Sequence, residues 1–114
     1  MPATVHTLRS AKLKRLTEDL GGQSEVARLL QVDRSQVSRW LTQAQPDREN
    51  EARLDALEFV LARLRQRLPV ETARKWLIGF NAHLGNRRPV DLLADNRVAE
   101  VIGAIEQELN ESYA

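Results

Sequence analysis

Apolar residues of this 114-residue chain recur three and four apart in every segment that has a pattern, and none shows strand-like alternation. Leu13, Leu16 and Leu20 give a first helix an apolar face, and Gly21-Gly22 ends it. Val26, Ala27 and Leu30 form the buried side of a second helix, which Ser24 can cap. The chain then turns through Gln31 and Val32. Asp33 is placed to cap a third helix, with Gln36 three residues later in a capping-box arrangement. The spacing predicts an all-α fold.

Residues 43–48, with Pro46 among them, read as a linker, and a long helix is expected from about Glu49 to Arg67. Leu54, Leu57, Leu61, Leu64 and Leu68 draw a continuous seam along it, either a core seam or a dimer contact. Pro69 stops this helix and starts the next, Val70 to Ile78. Residues 79–88 read as irregular, Pro89 restarts a short helix through Leu92 and Leu93, and Asp95 is expected to cap a last helix from about Asn96. Val98, Val101, Ile102, Ile105 and Leu109 are its stripe. The expected division is 7–45, 46–68 for the connecting helix, and 69–114.

The absence of cysteine excludes disulfides and thiolate metal sites and fits a reducing cytoplasm, the expected location. The longest apolar run is four residues, Phe59 to Ala62, so no membrane span is expected, and the N-terminus lacks the apolar core of a signal peptide. No catalytic constellation, phosphate loop or cofactor motif is present. His6 and His83 have no nearby ligand cluster, so an enzyme and a metal site are not expected. Residues 1–48 carry eight basic and five acidic residues, and residues 49–114 nine and eleven. A basic head suits contact with phosphate, although ordinary surface charge would look the same.

On the third helix, Val37, Trp40 and Leu41 cluster on one side. Ser35, Ser38, Arg39 and Thr42 face the other, with Arg34 and Gln36 flanking near the N-terminus. Recognition helices touch base edges from these places, so Arg34, Ser35, Gln36, Ser38, Arg39 and Thr42 are the expected DNA-binding residues and operator DNA the expected partner. Arg39 can donate two hydrogen bonds to a guanine edge, and Gln36 can pair with adenine. Residues 23–42 look like the Xre-like helix-turn-helix class, although Gln31 stands where the turn commonly has glycine. A helical hairpin with a solvated face is the competing reading. One such module binds weakly, so a homodimer presenting two recognition helices is expected.

Residues 76–93, WLIGFNAHLGNRRPVDLL, carry a second pattern: Trp-Leu, an Asn five residues after the Trp, Leu-Gly, a basic pair, then Pro-x-Asp-Leu-Leu. It resembles the toxin-binding domain of the Xre/MbcA/ParS antitoxins of RES–Xre toxin–antitoxin modules. There too it follows a helix-turn-helix and a leucine-rich helix. The chain departs from the pattern at Phe80, where many members have Pro, and at Asn86, where many have a second Gly.

The resemblance implies an antitoxin, not an enzyme. It would block a RES-domain NAD-degrading toxin through a small C-terminal lobe, 69–114, and repress its own promoter. The residues expected to face the toxin are Asn81, Arg87, Arg88 and Asp91, with Glu108, Glu111 and Tyr113 on a tail entering the toxin pocket. Read on their own chemistry, several have structural alternatives. Asn81 can cap the turn that follows it, Asp91 can clamp Arg88 or Arg87, and Trp76 reads as core. The rival function is a stand-alone helix-turn-helix regulator whose second lobe dimerises or senses a ligand.

Overall fold

The structure, a computed structural model, describes residues 5–111, with side chains from residue 10 onward. It is all-helical in those residues, as the periodicity predicts, and divides into two compact units, Met1–Glu51 and Ala52–Ala114. No helix among the described residues is long and apolar enough to cross a membrane.

In the first unit, α1 (Val5–Leu20), α2 (Gln23–Leu30) and α3 (Arg34–Thr42) pack on one another. Leu13, Leu16, Leu20, Val26, Ala27, Leu29, Leu30, Val37 and Trp40 are buried, each leucine contributing roughly 1.5–3 kcal/mol. Thr17 is buried among them and satisfies its hydroxyl by donating to the Leu13 carbonyl at 2.7 Å. Gly21, at φ 97°, ends α1 in a Schellman turn: the Gly22 amide donates to the Thr17 carbonyl at 2.8 Å and the Gly21 amide to that of Glu18 at 3.3 Å.

Two capping expectations change in this unit. The residue preceding α2 is Gly22, not Ser24, which lies one position inside the helix. The two glycines bring the chain into its helical turn earlier than a serine cap would. Asp33 does precede α3 in an extended conformation, but its side chain makes no capping bond; only its carbonyl accepts, from the Gln36 amide at 3.0 Å.

The second unit contains most of α4 (Arg48–Arg65), then α5 (Val70–Ile78), a 3-10 turn (Ala82–Leu84), α6 (Pro89–Ala94) and α7 (Val98–Glu111). Leu57, Leu61 and Leu64 are buried within the single chain, so the middle of the leucine seam is core; Leu54 and Leu68 are half-buried. Helix α6 packs against both α5 and α7, and the 3-10 turn sits on α7. Leu77, Leu84, Val90, Leu92, Leu93, Val101, Ile105 and Leu109 fill the centre.

The last helix starts two residues later than expected. Asn96 adopts φ 61° and closes α6: the Arg97 amide donates to the Leu92 carbonyl at 2.8 Å and the Asn96 amide to that of Leu93 at 3.1 Å. Asp95 therefore belongs to the end of α6 rather than the start of α7. At its other end α7 stays helical through Glu111, so the residues expected to begin a tail are a packed helix that buries Leu109.

Candidate functional site

The turn between α2 and α3 determines which face of α3 is presented. Gln31 takes the left-handed conformation, φ 60° and ψ 45°, without being glycine. Its amide donates to the Arg28 carbonyl and the Val32 amide donates to that of Ala27 at 2.9 Å, which closes the end of α2 and leaves Asp33 extended into α3. With Val37 and Trp40 buried, Arg34, Ser35, Arg39 and Thr42 are exposed and Gln36 and Ser38 half-exposed. The Thr42 hydroxyl is engaged within the helix, donating to the Ser38 carbonyl at 3.0 Å. All six residues expected to meet DNA thus lie at the surface of one nine-residue helix, and its two guanidinium groups have no acidic partner among the described residues. A surface of two arginines and short hydroxyl and amide side chains can meet phosphates and base edges.

In the second unit, residues 81–87 form a closed loop. The Asn81 amide donates to the Arg87 carbonyl at 3.0 Å, and the Asn86 amide returns to the Asn81 carbonyl at 2.9 Å. Within it the Asn81 side chain caps the 3-10 turn, its Oδ1 accepting from the His83 amide at 2.9 Å. Gly85 and Asn86 both have positive φ, 65° and 62°, so the turn uses asparagine as its second left-handed residue.

Arg88 and Asp91 are clamped to each other: Nε donates to Oδ2 at 2.9 Å and an NH2 nitrogen to Oδ1 at 3.0 Å. This bond, and then the charge of Asp91, raise the Arg88 pKa above its ordinary value. The pair joins the residue before α6 to its first turn, where Asp91 also faces the positive helix end. Arg87 turns back instead, its Nε donating to the Leu84 carbonyl at 2.7 Å, with Glu100 3.9 Å away. Glu100 itself receives a hydrogen bond from Arg97 at 2.7 Å, which lowers its pKa. Of the four expected toxin-facing residues here, Asn81, Arg88 and Asp91 are committed to holding the loop and α6. Of the four, Arg87 alone is exposed; the others are half-buried.

A cleft of about 530 Å³ opens beside the loop, lined by Thr72, Lys75, Trp76, Phe80, His83, Glu108 and Glu111 among others. Trp76, expected in the core, is a half-buried wall of this cleft, and its indole Nε1 is buried without a hydrogen-bond partner among the described residues. Phe80 is 78% exposed at the rim. The sequence position of Phe80 marks it only as a departure from the family pattern; its exposure follows from the extended Gly79 that ends α5. Glu108 and Glu111 lie one helical turn apart on α7, and both approach His83, at 4.0 and 3.3 Å from its Nε2. The fold therefore gathers a histidine with two carboxylates that are 25 and 28 residues away. Tyr113 lies outside the described residues.

No protein-family model matches the chain. The mycobacterial cidal antitoxins MbcA of Mycobacterium bovis and Mycobacterium tuberculosis are each 32% identical to it over 83 residues, covering 72% of this chain and 74% of theirs. Among solved structures, the crystal structure of the M. tuberculosis MbcT–MbcA toxin–antitoxin complex holds a chain that matches with a TM-score of 0.73 and 29% identity. The match covers 91% of this chain and 93% of that one.

Proposed function

This chain belongs to the family of the mycobacterial cidal antitoxin MbcA, and from that premise we propose that it is the antitoxin of a type II toxin–antitoxin module. It binds and blocks a RES-domain toxin that degrades NAD, and it represses its own promoter through α2 and α3. The observation that carries the antitoxin reading is the length of the likeness: at 29% identity it extends over nine-tenths of the chain, so it embraces both units.

The division of labour follows from where groups remain available. The α3 face offers Arg34 and Arg39 for phosphate and base contacts, with Ser35, Gln36, Ser38 and Thr42 around them. In the second unit, exposed Phe80 and Arg87 flank the closed loop, and Glu108 and Glu111 bring negative charge to the end of α7, from which Tyr113 follows. Asn81, Arg88 and Asp91 serve the toxin interface by holding that loop rigid. A loop already closed by its own backbone loses little freedom on binding.

Co-expression tests the reading. Growth and cellular NAD are measured in cells expressing the neighbouring gene with and without this protein. NAD collapse that co-expression restores is the expected result. A harmless neighbour, or toxicity that this protein leaves unchanged, removes the antitoxin reading and leaves a DNA-binding regulator.

A further inference from the structure

We propose that His83, Glu108 and Glu111 form a binding site for a divalent transition-metal ion, of which zinc is the best-fitting probe. One ligand atom from each of the three side chains lies within 4.8 Å of the other two. Zinc bonds of about 2.0–2.2 Å to nitrogen and oxygen place tetrahedral ligand atoms roughly 3.4 Å apart. His83 Nε2 already lies 3.3 Å from a Glu111 oxygen and 4.0 Å from a Glu108 oxygen. A small rotation of the Glu108 side chain, 40% exposed, completes the set.

The donors are held by two different elements, which separates this group from a chance run of acidic residues. His83 belongs to the 3-10 turn that Asn81 caps, so its backbone is fixed by a 2.9 Å hydrogen bond, and its side chain is 23% exposed. Glu108 and Glu111 are spaced three apart on α7 and therefore share a face. Imidazole with carboxylates selects zinc-like ions over magnesium or calcium, which prefer all-oxygen sets. Three protein ligands with an open side toward the cleft leave a fourth position for water or an anion. In the same cleft wall, the Trp76 indole N–H is buried without a partner among the described residues and lacks the acceptor that such a donor ordinarily finds.

A bound ion would fasten the last turn of α7 to the 81–87 loop, whatever protein the chain neutralises. Glu108 and Glu111 also stand among the residues proposed to face the toxin, but metal binding is read on the free chain and neutralisation in cells, so either can fail alone.

The test is a zinc titration of the full, tag-free chain by calorimetry, with cobalt absorption to report coordination geometry. With no cysteine and only two histidines, the variants are decisive. The expected result is one ion per chain, tetrahedral cobalt bands, and a change in fluorescence that Trp76→Phe abolishes. His83→Ala and Glu111→Gln should each weaken binding by more than about tenfold, and His6→Ala should leave it unchanged. Glu111 is largely exposed, so its variant folds even if His83→Ala does not. Absence of binding, binding indifferent to Glu111→Gln, or binding lost with His6→Ala overturns the site.

Discussion

Arg63 on α4 grips Glu106 on α7 with two parallel hydrogen bonds, Nε to Oε1 and an NH2 nitrogen to Oε2, both 2.9 Å. The residues are 43 positions apart, and the fork geometry ties the long helix to the last one. The pair is partly solvated, at 29% and 44% exposure, so its worth is modest. Replacing Glu106 with Gln should lower unfolding stability by about 0.5–1 kcal/mol in low salt and by less in 1 M salt. Urea denaturation at two ionic strengths checks this, and a salt-independent loss would show that packing rather than charge holds the contact.

Gln31 carries a left-handed backbone with an L side chain. Comparing two variants that both remove that side chain isolates the backbone effect. Gln31→Gly should be more stable than Gln31→Ala by about 1 kcal/mol, because only glycine takes φ 60° without a Cβ penalty. Equal melting temperatures would place the strain elsewhere.

Arg39→Ala should reduce operator affinity by about 1–3 kcal/mol in free energy while toxin neutralisation stays intact, since Arg39 is exposed on α3 and buries no core surface. Gel-shift assays and co-expression rescue on the same variant decide the point. Loss of both activities would refute separate faces for DNA and toxin.

Shortening the chain discriminates between tail and core. Removing residues 106–114 takes away Leu109, which is 4% exposed, and the Glu106 partner of Arg63, so the unit should melt at lower temperature. Removing only residues 112–114 leaves every described element in place and should impair neutralisation with a smaller drop in melting temperature than the longer truncation. Full rescue by that shorter truncation would relocate toxin blocking to the helical part of the chain.

Glu100 supplies a pH prediction. The hydrogen bond from Arg97, with the charges of Arg97 and Arg87, lowers its pKa below the ordinary 4.5, against an opposing effect of burial. A carboxylate depressed in the folded state adds stability above its unfolded pKa and loses it as pH falls through the folded value. The Glu100 carboxyl followed by NMR should titrate below 4.5 in the native chain and move upward in Arg97→Ala. A midpoint unmoved by the substitution would assign the shift to another cause.

Helix number, the apolar face of α1, the leucine seam of α4 and the exposed arginines of α3 were legible because each depends on spacing within one helix; that the middle of the seam is core was not, because spacing does not say what covers a face. The capping role of Asn81 and the Arg88–Asp91 clamp were legible for the same reason, their partners lying two and three residues away. Ser24 and Asp95 misled because glycine and asparagine in left-handed conformations moved the helix boundaries past them. Trp76 read as core because a large apolar residue beside Leu77 carries no sign of the cleft that the fold opens next to it. The meeting of His83 with Glu108 and Glu111 has no local signal, since it requires the 3-10 turn to dock on α7.

The two backbone bonds that join Asn81 to Arg87 and Asn86 separate the base of that loop from its tip. Positions whose side chains neither close the ring nor fill the core, and whose backbone is not left-handed, such as exposed Ala82, can be exchanged without the helices on either side having to readjust. A lineage can therefore alter what this edge of the molecule recognises in single steps, and each intermediate remains a folded protein.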